Sequence, residues 1–150
     1  MSVHPSPKNL ARDVVRQVWP KRQPRRPKAP ARFTAAAKAV MDARSGGTCE
    51  ICGQRRIAEH HHRGATSMGG SRIEWVNQPA NGLAVCHECH MRAEGTLTGS
   101  SRRVSKDNGW LVSRNGLLRA EEVPVLYRGR WVNLTDDGAV HPIGGESWPR

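Results

Sequence analysis

The chain is short of the features that would take it into a membrane or through one. No stretch of its 150 residues is apolar over the length needed to cross a bilayer. Residues 1–20 carry charges and prolines in place of the apolar run of a secretory signal, so an oxidising destination is not expected and disulfides are disfavoured. There is no internal repeat. No cysteine falls outside two CxxC pairs, Cys49–Cys52 and Cys86–Cys89, so none is left for ordinary packing. Acidic residues are almost missing from residues 1–32, where nine lysines and arginines face Asp13 alone and supply +8 of the net +11. A pI near 10.7 favours polyanionic partners, nucleic acid first.

What is present concentrates between residues 49 and 94. Two residues between the cysteines of each pair let both sulfurs reach one tetrahedral ion, so Cys49, Cys52, Cys86 and Cys89 read as one structural zinc site, with two disulfides as the alternative. A core this small often requires such a staple. Between the pairs lie His60-His61-His62-Arg63, then Gly69-Gly70, then Asn81; Cys89 is followed directly by His90, and Glu94 lies one helical turn further on.

The expected fold class is α+β, in three parts. Residues 1–31 hold six prolines among repelling basic charges and read as a disordered basic arm, with a possible short helix over 9–19. Arg22, Arg25, Arg26 and Lys28 in its extended part are candidate DNA-binding residues; a merely solubilising tail is the alternative. Residues 32–100 form the core. Residues 33–44 predict a helix capped by Thr34 and stopped by Ser45-Gly46-Gly47. Residues 56–62 predict a strand carrying the histidines, 63–80 a long functional loop, 81–85 a short return segment and 87–94 a helix. Residues 95–103 read as polar and mobile. Residues 101–150 form a β-rich extension, with apolar runs separated by turn residues over 121–143, as in a small β-meander. Trp75, Trp110, Trp131 and Trp148 are expected to pack in the core or at edges rather than to stack on bases.

The chemistry of these residues suits phosphodiester hydrolysis, which requires a nucleophilic water and stabilisation of charge at phosphorus and on the leaving oxygen. A divalent metal supplies the stabilisation. A neutral imidazole accepts the proton near physiological pH. The chain therefore requires a ligand histidine beside a free one, and His61 and His62 offer that pair.

The arrangement His61-His62-Arg63, Met68-Gly69-Gly70-Ser71, Pro79-Ala80-Asn81, Val85-Cys86-His87-Glu88-Cys89-His90, with VPVLYRGRWVNLTDDG at 123–138, resembles the HNH endonuclease family, and more narrowly the small HNH proteins of bacteriophages and actinobacteria. The resemblance implies a zinc-stapled ββα-metal core between an N-terminal helix and the C-terminal meander. It implies that His61 binds the catalytic metal, His62 is the general base, Asn81 orients the loop and through it the base, and His90 is the last metal ligand. A register shifted by one, with His60 as ligand and His61 as base, stays open. Some relatives place a histidine where this chain has Glu94, so Glu94 is either a ligand or a solvated helix residue. Arg63 either grips the scissile phosphate or pairs with Glu59 or Glu74, and His87 is expected at the surface or behind a metal ligand. The catalytic ion expected is Mg²⁺, Mn²⁺, Ni²⁺ or Zn²⁺. The resemblance further implies DNA as partner, a phage terminase or other packaging protein as a second partner, and a host-cytoplasmic setting. A non-catalytic zinc-ribbon nucleic-acid-binding module, or a packaging adaptor, is the rival expectation.

Overall fold

The computed structural model describes residues 30–144. The possible helix over 9–19, the arm residues Arg22, Arg25, Arg26 and Lys28, and Trp148 lie outside the described residues.

The fold is α+β, with short helices and two small antiparallel sheets. Helix α1, Ala35–Ser45, begins where the Thr34 hydroxyl accepts the Ala37 N–H at 3.0 Å. It ends at Gly46, whose φ of 58° is the left-handed conformation that glycine takes without Cβ strain. Strand β1, Glu59–His62, pairs with β2, Gly82–Val85, so that His61 lies opposite Leu83 and His62 opposite Gly82. Helix α2, His87–Glu94, follows β2 directly. A two-stranded sheet thus leads into a helix, with the cysteine knuckles before β1 and at the start of α2.

Every residue of β2 is buried. Leu83 and Val85 enter a cluster with the cysteines and Trp110, while Ala84 enters a second one with Phe33, Ala37 and Met41. Alternation along the strand therefore feeds two cores at once. The Met41 and Phe33 side chains pack directly on the backbone of Gly82, where any Cβ would force them to shift.

Residues 95–103 were expected to be polar and mobile. Residues 95–101 are turns and loop, and helix α3, Arg102–Asp107, begins within the last two residues of that stretch, capped by the Ser101 hydroxyl, which accepts the Val104 N–H at 3.2 Å. Six mostly charged residues carry no apolar periodicity, which is why the sequence pattern did not reveal it. The meander is present as β3, Val125–Tyr127, β4, Arg130–Leu134, and β5, Val140–Pro142. Arg128 and Gly129, both at positive φ, make the tight turn between β3 and β4. From that turn the Arg128 guanidinium donates to the carbonyls of Ser45 at 2.6 Å and Thr48 at 2.7 Å, tying the meander to the first knuckle. Trp110, Val125, Tyr127, Val132 and Leu134 pack in the cluster that holds the cysteines, so the C-terminal extension completes the core.

Two buried arginines brace this arrangement. Arg44 forms a two-point pair with Glu50, at 2.7 and 2.8 Å, and also donates to the carbonyls of Pro79 and Gly82. Glu50 in turn accepts the Ala84 N–H. Arg63 is fully buried, and its guanidinium donates to five carbonyls, those of Ala80, Gly109, Ala120, Val123 and Pro124. This corrects both expectations for Arg63. It pairs with neither Glu59 nor Glu74, and it is shut away from any phosphate. Burial, with the nearby charge of Arg44, lowers its pKa to about 9.

Candidate metal centres

The four thiols converge: the sulfurs of Cys49, Cys52, Cys86 and Cys89 lie within 4.8 Å of one another, and the cluster can hold a metal such as zinc. All four are free cysteines, so the alternative of two disulfides is not realised. Each knuckle is shaped by its backbone. In the first, Cys49 N–H donates to Arg55 O at 2.7 Å and Gly53 N–H to Cys49 O at 2.9 Å, with Gly53 at φ 66°. In the second, Cys86 precedes α2 and its carbonyl accepts the His90 N–H at 2.9 Å. Burial, then neighbouring thiols, push the Cys89 thiol well above its ordinary range. Burial also raises Cys49. At Cys52 burial acts in the same direction, but it is outweighed by N–H groups of Gln54 and Arg55 and by the neighbouring thiols, and the pKa falls to about 7. Four crowded sulfurs that cannot all ionise by themselves are a donor set that a cation satisfies.

A second donor group lies beside the first. His61, His90 and Glu94 bring one ligand atom each to within 4.8 Å of the others, and this group can also hold a metal ion. Strand alternation explains the selection. Glu59 and His61 point to the α2 side of β1, whereas His60 and His62 point to the α1 side. His61 is fully buried, and its ring lies edge-on to that of His90 at 5.3 Å. Its Nε2 stands 2.8 Å from the Trp110 carbonyl, which only accepts, so the ring donates there and turns Nδ1 toward Glu94. That Nδ1 is buried without a hydrogen-bond partner. Glu94 Oε1 stands 3.3 Å away.

His90 is prepared in the same way. Its Nδ1 meets the Glu59 carboxylate, which leaves Nε2 turned toward Glu94 Oε1 at 4.0 Å. Glu59 also takes the exposed His87 ring at 2.6 Å, and these two bonds hold its carboxyl below the usual range. The Glu94 carboxyl is likewise lowered, chiefly by His61. An orphaned imidazole nitrogen beside a carboxylate, with both histidine tautomers fixed from behind, fits a divalent cation. A separation of about 3.3 Å also suits two ligands bonded at about 2.1 Å to one ion.

The other sequence-predicted residues are placed as follows. His60 turns to Asp42 at 2.8 Å, away from this group. His62 is half-buried on the α1 face, its ring stacked on Phe33 at 3.7 Å and 5° and its Nε2 3.2 Å from Asn77 Oδ1. Burial lowers its pKa to about 4, against small opposing effects from Asn77 and from the charge of Glu94. Asn81 is buried; its Oδ1 accepts the Gly64 N–H at 2.7 Å, and its Nδ2 donates to the carbonyls of Val76 and Gly64. It thus locks the chain just beyond His62 to the turn before β2. Trp110 is buried with its indole N–H on the Leu126 carbonyl, and Trp75 lies over the backbone of Gly64.

Three residues at these centres escaped the sequence reading. Glu59 was legible, because it stands two residues before His61 on one strand face. Asn77 and Phe33 carried no periodic or spacing signal. No protein-family model, curated protein or solved structure matches this chain.

Proposed function

We propose that the protein is a metal-dependent DNA endonuclease of the HNH type, in which Cys49, Cys52, Cys86 and Cys89 hold a structural zinc and His61, His90 and Glu94 hold a catalytic divalent ion. The observation that carries this reading is the buried, unpartnered Nδ1 of His61 beside the Glu94 carboxylate. A packing histidine would have both nitrogens satisfied. A zinc ribbon whose only task is binding nucleic acid requires no second donor group with prearranged tautomers.

The ion would act as a Lewis acid on the phosphodiester and its leaving oxygen. The chain's own residues supply the rest. Trp110 O and Glu59 orient the two ligand histidines. His62 is the general base: its Nε2–H is given to Asn77, so Nδ1 is the nitrogen that accepts a proton from water. Its low pKa keeps that nitrogen unprotonated at neutral pH. Asn81 fixes the backbone on which His62 sits. The basic arm, residues 1–31, suits the DNA backbone, a contact that positions without reading sequence. A phage setting, with a terminase or other packaging protein as partner, follows from the resemblance alone.

The test is plasmid cleavage with Mg²⁺ or Mn²⁺ by the wild-type protein beside His62→Ala. Loss of a general base should slow cleavage by about 10²–10⁴-fold. Equal cleavage by both proteins, or none by either across the metals, would sink the assignment.

A further inference from the structure

Residues 30–33 run as a strap across the loop that precedes β2. The Ala31 carbonyl accepts the Ser71 N–H at 3.2 Å, and the Pro30 carbonyl accepts Asn77 Nδ2 at 2.7 Å. The chains approach so closely at Gly70, φ 76°, that a Cβ there would stand 2.4 Å from Ala31 O. Phe33, two residues further on, lies flat against the His62 ring.

Asn77 has no freedom in this arrangement. Its two amide hydrogens go to the carbonyls of Pro30 and, at 2.9 Å, Ser71. Its Oδ1 is thereby fixed toward His62 Nε2, and because an amide oxygen only accepts, the imidazole must be the donor. The Phe33 stack fixes the ring plane. Tautomer and plane of His62 are therefore both set by groups outside β1.

We propose that Asn77 and Phe33 are the positioning residues of His62, with the strap Pro30–Phe33 holding Asn77 in the orientation that leaves Nδ1 of His62 free to accept a proton. This rests on His62 being the general base. Neither residue touches the metal-binding group of His61, His90 and Glu94, so base positioning and metal affinity should separate.

Two measurements on the full chain test it: the ¹⁵N pattern of the His62 ring, read at a pH where the ring is neutral, and steady-state plasmid cleavage with Mn²⁺. In the wild type His62 should show a single Nε2–H tautomer. Asn77→Ala should give a mixture and lower kcat by about tenfold, within what misplacing a catalytic group costs, at unchanged KM and Mn²⁺ affinity. Phe33→Leu, which keeps the apolar volume against Met41, should shift kcat in the same direction by less and serves if Asn77→Ala does not retain its zinc. A single Nε2–H tautomer persisting in Asn77→Ala overturns the proposal, as does a kcat loss matched by lost Mn²⁺ affinity. His62→Ala with undiminished cleavage overturns the base assignment itself. A normal requirement for His62 with no effect of either variant overturns only the positioning role.

Discussion

The two donor groups are neighbours in sequence and opposites in construction. The cysteine group draws four identical ligands from two knuckles and sits in the main core, among Ile51, Leu83, Val85 and Trp110. The histidine group has three ligands of two kinds, with a fully buried His61 but a Glu94 side chain that is 41% exposed. Four thiolates complete a tetrahedral shell and leave nothing to react. Three mixed ligands, of which only His90 and Glu94 are part-exposed, would on the proposed function leave positions open for water and a phosphate oxygen. The difference teaches how the two groups are held: the cysteine group is embedded among apolar side chains, and the histidine group is oriented by polar groups, Trp110 O and Glu59.

That contrast can be broken at three points. The largest effect is expected at the closed centre. Cys86→Ser should lose zinc and unfold the core, since a structural zinc contributes on the order of 10 kcal/mol to folding. Zinc content and thermal melting report it, and a variant that keeps both would remove the distinction between the centres. Next comes Arg63, which serves neither centre directly but ties five carbonyls of the intervening loops together. Arg63→Ala strands those carbonyls in the interior and should cost about 4 kcal/mol or more in urea unfolding. A loss of DNA affinity with full stability would instead make Arg63 a phosphate contact. The smallest effect belongs to the open centre. Glu59→Gln weakens the group that fixes the His90 ring and should lower Mn²⁺ affinity by about 10–100-fold while zinc content and melting stay unchanged. Calorimetric titration measures this, and an unchanged affinity would mean that Glu59 only bridges His87 and His90.

Much of the scaffold was legible because local signals agree with the tertiary result. Thr34 and Gly46 bound α1 as cap chemistry requires, and the alternating runs of 121–143 became the meander. The gathering of Cys49, Cys52, Cys86 and Cys89 followed from spacing, whereas the pairing of His61 with His90 was what the resemblance implied and Glu94 stood open between ligand and solvated helix residue. Helix α3 was not legible, because its capping hydroxyl and its packing on α2 do the work that apolar periodicity does elsewhere. Arg63 was misread for a related reason. An arginine beside histidines suggests a phosphate contact, and nothing local shows that loops 46 to 61 residues away will bring it four carbonyls. The two faces of β1 were legible in principle from alternation, but which face would meet α2 was not.

The sequence by itself determined the donor inventory, because ligand chemistry resides in residue types and CxxC spacing fixes reach: four thiols for one ion, imidazoles and a carboxylate for another. Only the tertiary structure decided which histidine joins which group. Strand alternation splits adjacent histidines between two faces, and partners from distant segments, Trp110, Glu59, Asn77 and Phe33, then fix each ring by hydrogen bonds and stacking that no local pattern encodes.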